Sequence, residues 1–152
     1  MARNTGRLVG IARRDQKRAP MQTLESAVIS LDTGVADDFR GRPGERQVTV
    51  VSATAWRAVC VELQRDVAWT TRRANLLVDG LELPQQAGAE LRIGPVRLRI
   101  TGELEPCSRM DEQCPGLTES LKTDWRGGVT CSVLHGGCVS VGDDVTILVN
   151  GS

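Results

Sequence analysis

Aromatic side chains are scarce in this chain of 152 residues, which has three tryptophans, one phenylalanine and no tyrosine. It also has a single histidine and two lysines, Lys17 and Lys122. Few aromatics are therefore on hand for stacking bases, and 19 basic residues are balanced by 19 acidic ones for a formal net charge of +0. Nucleic-acid binding usually shows as a basic surplus or stripe with aromatics nearby, so nucleic acid is not expected as a partner. No apolar run is long enough to span a bilayer, and no apolar stretch of signal-peptide length follows the charged start. A cytoplasmic location without membrane attachment is the expectation.

The shortage of histidine narrows the chemistry further. A Ser-His-Asp or Cys-His site would have to use His135, and the context Leu134-His135-Gly136-Gly137 reads as a solvated turn between two strands. Zinc hydrolases usually draw on several histidines, which this chain cannot supply. Five cysteines is an odd number, and a chain of this length can bury a core without covalent staples. Reduced thiols are expected rather than a disulfide framework.

What the sequence does have is strand-like patterning. Ala89–Ile93 and Val96–Thr101 alternate apolar and charged residues on either side of Gly94-Pro95, the pattern of a hairpin with one buried and one wet face. Further strands are expected at 6–12, 27–31, 46–52, 74–78, 128–134 and 144–149, each rich in β-branched residues or leucine and bounded by turn formers. One helix interrupts them: Ser52 can cap it, and Ala53, Trp56, Val59, Cys60 and Leu63 recur at helical spacing. A shorter helix is expected over Pro115–Lys122. About eight strands with close turns predict a mainly β fold: a strand-rich barrel with one or two short helices at its edge, as a single domain over 1–152 with a core at about 6–149. The polar segment 34–45 reads as a surface loop that helps cover a site.

The cysteines differ in setting. Cys60 falls on the apolar helix face, Cys131 lies in a strand, and Cys138 follows two glycines without charged neighbours. Cys107 and Cys114 sit in a loop by composition. Pro106 ends the hairpin strand, so Cys107 is expected to emerge at its end, with Arg109 close enough to favour the thiolate. Six residues separate Cys107 from Cys114 and also Cys131 from Cys138, a spacing wider than structural zinc sites prefer.

Six stretches in order along the chain, Arg46–Val50, Arg73–Gly80, Gly88–Gly94, Pro106-Cys107, Arg126–Val129 and Gly136–Asp143, together resemble the MOSC family. This is the domain at the C-terminus of molybdenum cofactor sulfurases and in amidoxime-reducing proteins. The resemblance implies a barrel and a role for Cys107 as molybdenum ligand or sulfur-accepting thiol. It implies that Arg73 and Asn75 hold the pterin and phosphate of the molybdenum cofactor, with further polar contacts from Ser52 and Thr54. Thiolate suits molybdenum as a soft donor, and a guanidinium grips phosphate through paired hydrogen bonds.

The sequence has no counterpart of the N-terminal β-barrel segment of the amidoxime-reducing proteins, so a cofactor held here is expected to be more exposed or to be shared with a partner. Flavin, haem and iron–sulfur signatures are missing, so electrons for a reductase of N-hydroxylated compounds would come from a separate electron-transfer protein. In the carrier alternative, Cys107 receives sulfane sulfur from a pyridoxal-phosphate cysteine desulfurase. That pyridoxal phosphate would belong to the partner, because neither Lys17 nor Lys122 has a Schiff-base context.

Overall fold

The hairpin at the centre of the sequence pattern forms as expected in the computed structural model, which describes residues 5–108 and 110–148. Strands β7 (Glu90–Ile93) and β8 (Val96–Glu103) pair antiparallel through Gly94-Pro95, with Gly94 at φ 54° where a side chain would be strained. Leu91, Ile93, Val96, Leu98 and Ile100 point inward and are fully buried. On the wet face Arg97 pairs with Glu90 at 2.6 Å.

Five more strands complete a closed barrel with these two: β1 (Thr5–Arg13), β5 (Val48–Ser52), β6 (Leu76–Asp79), β9 (Val129–His135) and β11 (Asp144–Leu148). Around the barrel the order is β1, β11, β7, β8, β9, β5, β6 and back to β1. Strand β1 closes the ring because it bends. Its first residues pair with β11 over Thr5–Arg7, and a register shift between Leu8 and Gly10 interrupts its pairing with β6. Every pairing is antiparallel except β5 with β6.

The remaining strands are short: β2 (Gln22–Leu24) extends β1, while β3 (Ser26–Ser30), β4 (Gly34–Val35) and β10 (Gly137–Ser140) form a small second sheet. That sheet adds Ile29, Val35 and Val139 to the barrel core. The eight strands expected from sequence are therefore eleven among the described residues. The additional ones are two to four residues long, too short to display alternation. Val149, expected to end the last strand, lies outside the described residues.

Three helices pack outside the barrel: α1 (Ala53–Leu63), α2 (Met110–Gln113) and α3 (Leu117–Lys122). Ser52 Oγ caps α1 by accepting the Ala55 N–H at 3.3 Å, an interaction worth about 1 kcal/mol. Trp56 and Val59 bury the inner face, and the Trp56 indole N–H donates to the Val67 carbonyl at 2.6 Å. A second apolar cluster joins these two to Val51, Leu104, Leu117 and Leu121. Strand β5 is thus buried on both faces, with Val48 and Val50 toward the barrel interior and Val51 toward the helices. No helix among the described residues is long and apolar enough to cross a membrane.

Candidate functional site

A cavity of about 640 Å³ is lined by Thr49 of β5, by α2, and by the segments that follow β1 and β8 and that lead into β5 and β6. Six arginines line it: Arg14, Arg18, Arg40, Arg46, Arg72 and Arg73. Against them stand three carboxylates, Asp38, Glu105 and Glu112, and the thiol of Cys107. Among the described residues none of the six arginines makes an ion pair; the salt bridges lie elsewhere. A chain of zero net charge has placed six cations against three carboxylates in one concavity, an excess of positive charge that suits an anion.

Arg72 and Arg73 are held by backbone carbonyls rather than by acids. The 3-10 turn Trp69–Arg72 ends at Arg73, held in the left-handed region at φ 64° and ψ 30°. This conformation is uncommon for a residue with a side chain. The Arg73 guanidinium donates to the Ala19 carbonyl. Arg72 is buried, and its Nε and Nη2 donate to the carbonyls of Gly127 at 2.8 Å and Leu104 at 2.5 Å. Burial, and then the Arg46 charge, push the Arg72 pKa down to about 10, while the Cys107 sulfur and Glu103 act in the opposite direction. At neutral pH it remains a cation beside the thiol. Arg14 is likewise lowered, first by burial and then by Arg73 and Arg40, with Asp38 opposing.

The segment expected as a loop over 34–45 begins as β4, and beyond it Asp38, Arg40 and the following Arg46 line the cavity wall. Asp38 braces it by accepting the backbone N–H groups of Arg14 at 3.1 Å and Arg40 at 3.3 Å. The Phe39 ring lies 5.9 Å and 6.0 Å from the guanidinium carbons of Arg14 and Arg40. At Gly41 a Cβ would fall 1.6 Å from the Thr33 carbonyl oxygen, so only glycine permits this path of the loop.

Cys107 lies in the segment between β8 and α2, four residues past the strand end where the sequence placed it. Its thiol is exposed, while its carbonyl accepts the Met110 N–H at 2.9 Å and the Thr118 hydroxyl at 3.0 Å. Asp111 in turn accepts the Thr118 N–H at 2.9 Å. Thus α2 and α3 fix the backbone while leaving the sulfur free. Arg109, expected to favour the thiolate, lies outside the described residues.

Asn75 also lines the cavity, but most of its polar atoms are engaged internally. Its Oδ1 accepts the Thr49 N–H at 3.1 Å and hydroxyl at 3.3 Å, its own N–H donates to Thr49 Oγ1 at 3.1 Å, and Nδ2 donates to the Ala12 carbonyl at 3.2 Å. This clamp ties β1, β5 and the start of β6 together directly beside Arg73.

Ser52 and Thr54 are not in this cavity. Ser52 lies three residues beyond Thr49, about 10 Å along β5, and its hydroxyl is used as the α1 cap. Thr54 is exposed, 3.5 Å from Asp79 and beside Arg57. The geometry thus brings Cys107, Arg73 and Asn75 together and leaves Ser52 and Thr54 at the opposite end of the strand. Sequence reasoning missed Arg72, Arg14, Arg18, Arg40 and Arg46, which come from separate segments and share no local motif.

The other cysteines and the histidine stand apart. Cys131 and Cys114 are buried, Cys138 is exposed, and burial pushes the Cys131 thiol pKa well up. His135 is the last residue of β9 rather than a turn residue, and its Nδ1 lies 2.9 Å from the Pro95 carbonyl oxygen. No histidine therefore serves the described cavity. Among the described residues no group of three or more His, Cys, Asp or Glu side chains is arranged to hold a metal ion.

Solved structures share this architecture. The YuaD protein from Bacillus subtilis superposes with a TM-score of 0.81 at 18% identity, over 97% of this chain and 98% of that one. YiiM from Escherichia coli matches at a TM-score of 0.70 and 16% identity, over 96% of this chain and 71% of its own. YiiM from Geobacillus stearothermophilus gives 0.69 and 14%, over 99% and 77%. No curated protein sequence matches the chain. The model of the MOSC domain matches residues 26–146, most of the chain, and with the closed barrel this shows that the protein belongs to the MOSC family.

Proposed function

We propose that the cavity binds the molybdenum cofactor, with its phosphate and pterin among the arginines and Cys107 as the protein ligand to the metal. The observation that carries this reading is the juxtaposition of six unpaired arginines with an exposed, backbone-anchored thiol. The donor set fits the group. A metal ion held by protein alone needs several ligands, which the described residues do not assemble. A metal that arrives already chelated needs one soft donor and a grip on its anionic carrier. A volume of about 640 Å³ is within the usual range for cofactor pockets.

In this reading Arg73 and Arg72 neutralise the phosphate, and the Asn75–Thr49 clamp keeps Arg73 at the mouth of the barrel. When bound, the cofactor supplies a metal that exchanges electrons and oxygen with substrate. The chain's part is to bind, orient and partly cover it with the segment 36–46. With no histidine at the described cavity, Glu105 and Glu112, together with Asp38 of the loop, are the carboxyl groups at hand to hold or pass a proton. Reduction of N-hydroxylated compounds, fed by a separate electron-transfer protein, is the enzymatic form of this proposal.

The exposed thiol equally serves a carrier. A desulfurase persulfide would transfer its outer sulfur to the Cys107 thiolate, forming Cys107–S–SH and releasing the partner's thiolate. Two assays separate the readings. Protein made in a cofactor-producing host is oxidised in acid and its released pterin quantified; wild type retains pterin and Arg73→Glu loses most of it. Equal retention contradicts the cofactor reading. One added sulfur on Cys107 after desulfurase treatment, with no pterin retained, establishes the carrier instead.

A further inference from the structure

Next to the cavity the surface forms a second concavity of about 430 Å³, a shelf lined by Lys17, Phe39, Arg40, Arg42, Arg46 and the Pro43-Gly44 turn. All of these residues are exposed. No acidic residue lines the shelf, and among the described residues none of its four cations makes an ion pair. The acids close by in sequence do not answer them. Asp37 lies 3.6 Å from Arg13, Asp38 accepts the N–H groups of Arg14 and Arg40, and the exposed Asp15 and Glu45 do not line the shelf. Elsewhere on the surface charges neutralise each other, as with Arg97 and Glu90 or Arg126 and Glu62.

Two separate stretches of chain supply the shelf, and hydrogen bonds to the backbone tie them together. The Phe39 N–H donates to the Arg14 carbonyl at 2.6 Å, and the Arg13 guanidinium donates to the Ala36 carbonyl at 3.0 Å. Farther on, Gln47 Nε2 donates to the carbonyls of Leu31 at 2.7 Å and Gly41 at 3.2 Å. The shelf is therefore largely formed in the free protein, which lowers the ordering cost of binding.

The kind of ligand follows from exposure and residue type. Exposed cations are hydrated and screened, so a small anion gains little on any one of them. A chain that carries several carboxylates meets all four at once, and each contact after the first is made at high effective concentration. Phe39, the one phenylalanine of the protein, is spent here on the surface, its ring 5.9 Å and 6.0 Å from the guanidinium carbons of Arg14 and Arg40. Aromatic and arginine side chains are the types enriched where proteins meet. No second aromatic lines the shelf to stack a following base, which argues against nucleic acid.

We propose that this shelf docks an acidic segment of a protein partner, its carboxylates on Lys17, Arg40, Arg42 and Arg46 and an apolar side chain on the exposed ring of Phe39. Arg40 and Arg46 also line the cavity, so the partner sits beside the space that holds Cys107. The docking surface stands whether or not that space holds a cofactor.

The test is a fluorescence-anisotropy titration of the full chain with a labelled peptide of glutamates flanking one leucine, against the same peptide with glutamines. Wild type is expected to bind the acidic peptide about tenfold tighter at low ionic strength, an advantage that shrinks as salt is raised. Lys17→Glu and Arg42→Glu alter exposed side chains, and each is expected to erase most of the advantage at unchanged thermal stability. Replacing the leucine of the peptide by glycine is expected to weaken binding to wild type and to change nothing in Phe39→Ala. Equal affinity for the acidic and neutral peptides, or an advantage that survives both charge substitutions, overturns the proposal. So does tighter binding of phosphatidylserine vesicles or of an oligothymidylate, lost in the same two variants, because the shelf then serves a membrane or a nucleic acid.

Discussion

The hydroxyl of Thr118 donates to the carbonyl of Cys107 at 3.0 Å, bridging from α3 to the one exposed thiol of the described cavity. The bond restrains the backbone next to the sulfur without touching the sulfur itself. Thr118→Val keeps the shape and removes the donor. A loss of about 1 kcal/mol is expected, a few degrees in Tm, together with weaker cofactor retention. Unchanged retention at reduced Tm would show that the bond supports the fold and not the site.

Arg72 and Leu104 bear on the same region from below. The buried guanidinium serves two carbonyls through two nitrogens in fixed geometry, Gly127 at 2.8 Å and Leu104 at 2.5 Å. A lysine has one compact ammonium and cannot reproduce that fork. Urea unfolding of Arg72→Lys is expected to show a loss of about 1–3 kcal/mol, with pterin retention reduced relative to wild type. Full stability in the lysine variant contradicts the bidentate role.

Asp111 adds a dependence on pH. The backbone N–H of Thr118, and then its side chain, hold the Asp111 carboxyl below its ordinary value near 3.8. The ionised form is favoured in the folded state, so its stabilisation is present above about 3.8 and fades as pH falls through the lowered folded value. Melting temperatures of wild type and Asp111→Asn should therefore differ at about pH 6 and converge as the pH falls below the lowered folded value. A gap that does not close on acidification means the aspartate acts by shape alone.

The barrel was legible in the sequence because its strands obey a local rule. Leu91, Ile93, Val96, Leu98 and Ile100 alternate with charged residues, and that alternation needs no knowledge of tertiary partners. The α1 helix was legible for the same reason, from Ser52 and the Trp56–Val59 spacing. Strands β2, β4 and β10 were not, since two to four residues cannot display a period. At the site, Cys107 was singled out by its setting after Pro106, and Arg73 and Asn75 through the family resemblance. Ser52 and Thr54 were grouped with them through the same resemblance, yet a strand carries residues apart at about 3.3 Å each. The remaining arginines were invisible because segments as distant as Arg14, Arg46 and Arg72 meet only when β1, β5 and β6 pair.

The most direct measurement is the molybdenum-to-protein ratio of purified wild type and Cys107→Ala, both produced in a host that makes the cofactor. The account predicts molybdenum approaching one atom per chain in wild type and a large loss in the variant, at equal thermal stability because the thiol is exposed. Equal molybdenum in the two proteins would contradict the assignment of Cys107 as the ligand.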